Sequence, residues 1–394
     1  MESRISDTAD VAADALVFMG GPTPRDRIEV GSDLFYVRRR FFYRGVDLEV
    51  SGRWRPMPQL ALQASLSNTT DMEDQPGTER VLKSTGAPAT QPARAGQMFI
   101  LSNTGVQMQA IWSPFPRRLT ITSGLRVDLH TIYGPQLSTR VAAVYQATNE
   151  LTLKAFYGSA FKAPSALLLY GAPLAAGDVI GNPQLKASHV HTAEIQVSYQ
   201  LERRLTWSAG VVTNTILNKA EFTPQGFNTV ARNISSVLTL GVESQLDLII
   251  QDWLRAYANV AFNRTQRLLA AQGYIAQLVG TENTLYPALI ANTGATFTLP
   301  RTPLRAGVEV SAVSERRASD ANILDRGQDY FLSPYLLVGG HVGLAELNIL
   351  ANRPTTVSLI VRNLLNHKVA DPGLSHVDYP PVPRTLMVQV HQQL

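Results

Sequence analysis

Cysteine is absent from the 394 residues, so neither a disulfide framework nor thiolate chemistry is available to this chain. No run of about 18 uninterrupted apolar residues occurs, which excludes the usual helical membrane span. Charge of one sign is scarce: 35 Lys and Arg against 31 Asp and Glu leave a formal +4 at neutral pH. So small an excess over this length gives no ground for a nucleic-acid partner. No G-x-S-x-G elbow or comparable nucleophile signature is present, so an enzyme is not expected, and no cofactor is implied. Mean hydropathy is close to zero, as it is when only alternate residues are apolar.

That alternation is what the chain does have. In residues 119–130 (LTITSGLRVDLH), Leu119, Ile121, Ser123, Leu125, Val127 and Leu129 share one parity. Thr120, Thr122, Gly124, Arg126, Asp128 and His130 share the other. Successive side chains of a strand point to opposite faces, so one face is oily and the other wet. The same code recurs at 205–211, 238–248, 254–263, 289–299 and 386–391. An antiparallel sheet with a greasy exterior and a polar interior is what a transmembrane β-barrel requires. Many segments reach about ten residues, the length of a tilted strand span and more than a soluble sandwich strand needs.

Connections alternate in length. Short links fall near 55–58, 113–118, 147–150, 201–204, 250–253 and 300–303. Longer ones fall near 71–96, 159–187, 217–236, 264–286, 315–333 and 364–383, with 131–136 the one brief member of that set. Outer-membrane barrels carry short periplasmic turns and long extracellular loops, which orients the chain and brings its C-terminus to the periplasm. The tally is about 15 or 16 strands, with boundaries uncertain by roughly two to four residues. Trp54, Trp112 and Trp207 lie beside short links on the apolar parity, and Trp253 closes another. Amphipathic rings prefer the headgroup level, so the four read as an interfacial girdle.

At residues 151–199 the run LTLKAFYGSAFKAPSALLLYG, followed by GNPQLKASHVHTAEIQVSY, resembles the middle of TonB-dependent outer-membrane receptors. Tyr157, Gly158, Ala160, Phe161, Ala163, Pro164 and Ser165 match that family's strand end. Gly181, Asn182, Pro183, Leu185, Lys186, Glu194 and Tyr199 match the segment after its loop, while Ala187-Ser188 replaces the family's Pro-Glu. GLRVDLHTIYGPQLSTRVAAVY (124–145), LGVESQLDL (240–248), VRNLLNHKVADP (361–372) and PRTLMVQVHQQL (383–394) are similar to further family strands in family order. Together they cover residues 41–394. Gly181-Asn182-Pro183, Ala163-Pro164-Ser165 and Asn363 read as architectural: they end loops or stop ladder pairing.

The resemblance implies an all-β, antiparallel barrel that forms part of about 22 strands around a plugged lumen. Residues 1–27 are expected to be irregular and 28–394 to be the receptor-like barrel. Signal peptide, TonB-contacting segment and plug are not recognisable, so the chain is expected to be the C-terminal part of a receptor. The implied activity is uptake of a scarce nutrient such as a ferric siderophore or cobalamin. The implied partners are outer-membrane lipid, an extracellular metal chelate, and the TonB complex in the full-length parent. A passive porin, or a non-functional receptor fragment, is the competing expectation.

Loop aromatics offer rigid area for stacking on a flat chelate, and Tyr170, Phe222, Phe227, Tyr274 and Tyr379 are the ligand candidates. Tyr286 and Tyr330 are better placed for an outer aromatic girdle. His189 and His191 share one strand face, yet a third metal ligand is not evident, and a solvated rim suits them better. Arg126, Asp128 and His130 form an inward polar trio without a nucleophile beside it. Lys154, Glu194, Glu243, Asp247, Arg255, Glu309 and Arg362 are expected to face a watery lumen.

Overall fold

In a computed structural model the described residues are 2–5, 35–40, 43–74, 77–82, 85, 87, 98–171, 179–225, 228–270, 286–319, 322–323, 328–350, 353–374, 377–379 and 383–392. Fifteen strands make one meandering wall. They are β1 (Tyr43–Met57), β2 (Leu60–Asp74), β3 (Met98–Phe115), β4 (Leu119–His130) and β5 (Gly134–Gln146). β6 (Leu151–Lys162), β7 (Ser188–Leu201), β8 (Leu205–Gln225), β9 (Asn228–Gln251) and β10 (Leu254–Ala270) continue it. β11 (Leu289–Thr298), β12 (Leu304–Val313), β13 (Tyr335–Leu350), β14 (Arg353–Arg362) and β15 (Thr385–Gln392) complete it.

Each strand pairs with its neighbours in the chain, and Val179–Ile180 adds a short parallel edge to β9, for sixteen strands in the sheet. The expected strand tally and antiparallel architecture are therefore present. No helix among the described residues is long and apolar enough to cross a membrane.

The faces follow the sequence pattern. Val127 and Leu129 are exposed, whereas Asp128 between them keeps 2% of its surface. The register carries this face across the sheet: Val106, Val127 and Leu137 are direct neighbours, as are Met108 and Leu125. All four tryptophans are exposed and stand near the ends of strands joined by short links, as expected.

The expected short links are the tight ends of hairpins. Arg117, Glu202 and Arg301 take positive φ there, a conformation that reverses the chain within a few residues. A seventh close connection, between β13 and β14, was not foreseen; Leu350 and Arg353 are cross-strand partners. The expected long connection at 217–236 is mostly strand. β8 and β9 run 21 and 24 residues, well beyond the roughly 9–11 of a span. They stay paired past a bulge between Ile216 and Lys219, because a projecting hairpin satisfies its backbone more fully than an open loop does.

Glu2–Ile5, inside the segment expected to be irregular, pairs with Phe35–Arg40, which pairs in turn with Gly77–Leu82 above β1 and β2. Residues 6–27 lie outside the described residues.

The edge strands β1 and β15 both run toward the short-link side and are not paired with each other. Placed side by side they would be parallel, so antiparallel closure needs an odd number of intervening strands. A wall of about 22 strands meets that condition.

Candidate functional site

Two regions carry chemistry: the inner wall and the cluster of connections at the long-loop end. On the inner wall, Arg126 donates from Nε to both Asp128 carboxylate oxygens at 3.0 and 2.8 Å, and from Nη2 to Oδ1 at 2.7 Å. Its Nη2 also reaches Ser67 Oγ at 3.2 Å, and Asn103 Nδ2 donates to Asp128 at 2.8 Å. Asp128 is thus a buried carboxylate whose charge is matched and whose lone pairs are occupied. His130, grouped with this pair by the sequence, turns away: its Nδ1 accepts the Ile132 amide at 3.1 Å and its ring tilts on Tyr133.

Beside this network lies a hollow of about 340 Å³, bordered by Arg126, Ser138, Arg140, Phe156, Gly158 and Thr192. Arg140 donates to the side-chain oxygen of Gln109. The sequence marked neither residue, because their meeting depends on a register that joins three strands. The expected lumen charges fall on this same face: Lys154, Gln196, Gly210 and Glu243 form one register row, and Glu194 stands two residues along from Gln196. Glu309 and Gly339 are neighbours across β12 and β13, with Arg362 next in that row by register.

His189 and His191 do share a face, and it is the outward one. His191 stands opposite Ser159 and exchanges a 3.0 Å hydrogen bond with Tyr157. Among the described residues, no group of three or more metal-ligating side chains comes together.

At the long-loop end, Leu169, Leu185 and Ala231 form a small core with Ile132, Tyr133, Leu168, Tyr170 and Ala220. A short helix, α1 (Ala166–Tyr170), begins right after Pro164 ends the pairing of β6. Tyr133 donates its hydroxyl to the Pro164 carbonyl at 2.6 Å, and burial pushes its phenol well above the ordinary tyrosine range. Asn182 donates to the Ala231 carbonyl at 2.9 Å. Asn233 accepts the Lys186 amide at 2.8 Å and donates to the Lys186 carbonyl at 3.0 Å. Gly181 touches Tyr170 and Gly171 so closely that a Cβ would fall 2.5 Å from backbone. The G-N-P segment is therefore a clamp, and the architectural role expected of it holds.

The last two long connections dock on each other. Arg316, nearly buried, pairs with Asp371, donates to the Ala370 carbonyl at 2.9 Å, and lies 4.9 Å from the Tyr335 ring centre. Asn322 and Tyr330 both donate to Asp378, at 3.2 and 3.0 Å. Tyr330, expected in an outer girdle, is instead part of this joint, its half-buried phenol satisfied by the Asp378 carboxylate. Asn363, with φ of 49°, closes the final loop through His367, accepting its amide at 2.9 Å and donating to its carbonyl at 3.0 Å.

The ligand candidates are scattered. Tyr170 is stacked on Phe99, centroids 4.1 Å apart. Phe222 is exposed on the β8–β9 projection, and Tyr379 is exposed beside the docked loops. Phe227 and Tyr274 lie outside the described residues.

A sequence profile described as "TonB dependent receptor-like, beta-barrel" matches residues 84–364. Curated protein sequences give no match. Solved structures with the same wall include the FrpB iron transporter of Neisseria meningitidis, with TM-score 0.70 and 15% identity over 99% of this chain and 58% of that one. Copper transporter OprC gives 0.70 and 14% over 94% and 59%. A mutant ferric enterobactin receptor, PfeA, of Pseudomonas aeruginosa gives 0.65 and 17% over 92% and 59%. At such identities the likeness is one of fold, and this chain spans about three fifths of each of those chains. The profile match covers well over half of the sequence, and the chain belongs to the TonB-dependent receptor β-barrel family, whose members reside in the outer membrane.

Proposed function

We propose that the chain forms barrel wall and outer loops of a receptor that captures a scarce nutrient, a ferric siderophore or a cobalamin-like chelate, and admits it with energy delivered by TonB. The observation that carries this reading is the joint between the last two long connections, Arg316 to Asp371 and Tyr330 to Asp378. Loops locked together over one end of a wet wall make a preformed surface for an extracellular ligand. An open aqueous channel has no need of such a surface. The chain's family is one of transport receptors, and catalysis forms no part of the proposal.

Uptake of radiolabelled ferric chelates and cobalamin tests this in cells carrying the gene in its native context, against a deletion strain and a strain lacking TonB. One chelate is expected to depend on both. Uptake of every solute that survives loss of TonB would identify a passive pore instead.

A further inference from the structure

Arg140 differs from the other arginine that borders the hollow. Its neighbour Arg126 is neutralised by Asp128 with three charge-assisted bonds. Among the described residues, Arg140 has only the neutral amide of Gln109. The cross-strand row that contains it runs from Arg53 on β1 through Gln109, Gly124 and Gly158 to Thr192 on β7, without a carboxylate. Of two acids in the rows nearby, one is committed elsewhere and the other is set apart. Asp128 is held by Arg126 and Asn103, and Glu194 stands across the ladder from Phe156.

The floor beneath Arg140 is shaped by missing side chains. A Cβ on Gly124 would lie 3.2 Å from Arg140 Cγ, and one on Gly158 would lie 2.7 Å from Phe156 Cζ. Both larger side chains lie flat along the wall, and the hollow of about 340 Å³ remains above them. A guanidinium with unused donors, an aromatic wall and the hydroxyls of Ser138 and Thr192 border one space. A planar fork of donors matches a carboxylate, which it binds through two parallel bonds.

We propose that this hollow is an anion site of the inner wall, in which Arg140 receives a carboxylate presented from the lumen. The carboxylate belongs either to a polypeptide segment seated in the barrel or to a small solute passing along it. The chemistry is the same for both, and the site does not depend on the nutrient being a chelate.

Arginine modification by phenylglyoxal, mapped by mass spectrometry on the folded chain in detergent, tests the proposal without any mutation. Arg140 is expected to react faster than the ion-paired Arg126. Citrate, as a free carboxylate, is expected to slow modification of Arg140 several-fold while leaving Arg301 in its exposed turn unchanged. An acetyl-glycyl-aspartyl-glycine amide peptide supplies the polypeptide arm. Protection at lower concentration by the peptide assigns the site to a seated segment, and stronger protection by citrate assigns it to a solute. Gly158→Leu, which fills the hollow and keeps the charge, is expected to abolish protection by both. An Arg140 that is unreactive from the start, or that neither probe protects beyond Arg301, would overturn the site.

Discussion

Gly105 stands directly across the ladder from Asp128, and the missing side chain is what admits the Arg126 guanidinium. A Cβ there would lie 2.2 Å from Arg126 Nη2 and 2.9 Å from Asp128 Oδ1. The ion pair and the glycine are one feature made by two strands. Gly105→Leu is therefore expected to expel Arg126 and leave a buried carboxylate short of partners. The cost should be about 1–3 kcal/mol, as for other overpacked sites, measured by urea unfolding from lipid vesicles. Equal stability of variant and parent would mean that Arg126 has another resting place.

The two faces of β4 should differ sharply in tolerance. Leu125 is exposed on the outer face, whereas Thr122 lies opposite Ala142 on the inner one. Leu125→Arg is expected to impair folding into lipid by roughly 2–4 kcal/mol, and Thr122→Arg by far less. Matching losses in a vesicle-folding assay would invert or erase the assignment of faces.

Orientation is open to a direct check in intact cells. An epitope tag at residue 175, in the connection between β6 and β7, should be reached by antibody from outside. A tag at Glu202, in the tight turn joining β7 to β8, should be shielded. Staining at the second site alone would turn the barrel over.

Asn233 holds Lys186 by its amide and its carbonyl at once. Asn233→Ala leaves three backbone groups in search of water, the Lys186 amide and carbonyl and the Asn218 carbonyl, a loss of about 1–3 kcal/mol confined to this joint. Limited proteolysis should then cut between residues 171 and 187 sooner than in the parent, with the wall strands left intact. Unaltered cleavage there would show that the apolar core around Leu169 suffices.

Alkaline pH should loosen that same core. Tyr133 is an acid whose folded-state pKa is raised by burial, so the folded form keeps its proton after the unfolded chain has lost it. The contribution is intact below about pH 10, the ordinary tyrosine value, and is lost as pH climbs through the higher folded one. Tyr133→Phe should lower stability at neutral pH through the missing bond to Pro164 and flatten the alkaline decline. Thermal scans across pH 8 to about 11.5 would report it; identical slopes would remove Tyr133 as the cause.

Much of the wall was legible because it rests on a local rule. Parity alone set Leu125 and Val127 outward and Arg126 and Asp128 inward, and turn-length contrast set the polarity of the hairpins. The candidate site was less legible. Arg126 with Asp128 was visible two residues apart, but Ser67 meets them from 59 residues away. Tyr330 looked like a girdle residue because nothing nearby in the chain announces Asp378. The run at 217–236 looked like a loop because its Asn, Pro and Gly residues dilute the alternation that pairing nevertheless sustains.

What the sequence determined by itself is which side of each strand is wet, since side-chain direction alternates residue by residue whatever the neighbours are. Only the tertiary structure decided which wet side chains meet. Register brought Gln109 to Arg140 and left Arg140 without a carboxylate among the described residues, and folding of the loops brought Arg316 to Asp371. Those encounters depend on strand stagger and loop docking, which are properties of many distant segments satisfying their backbones together.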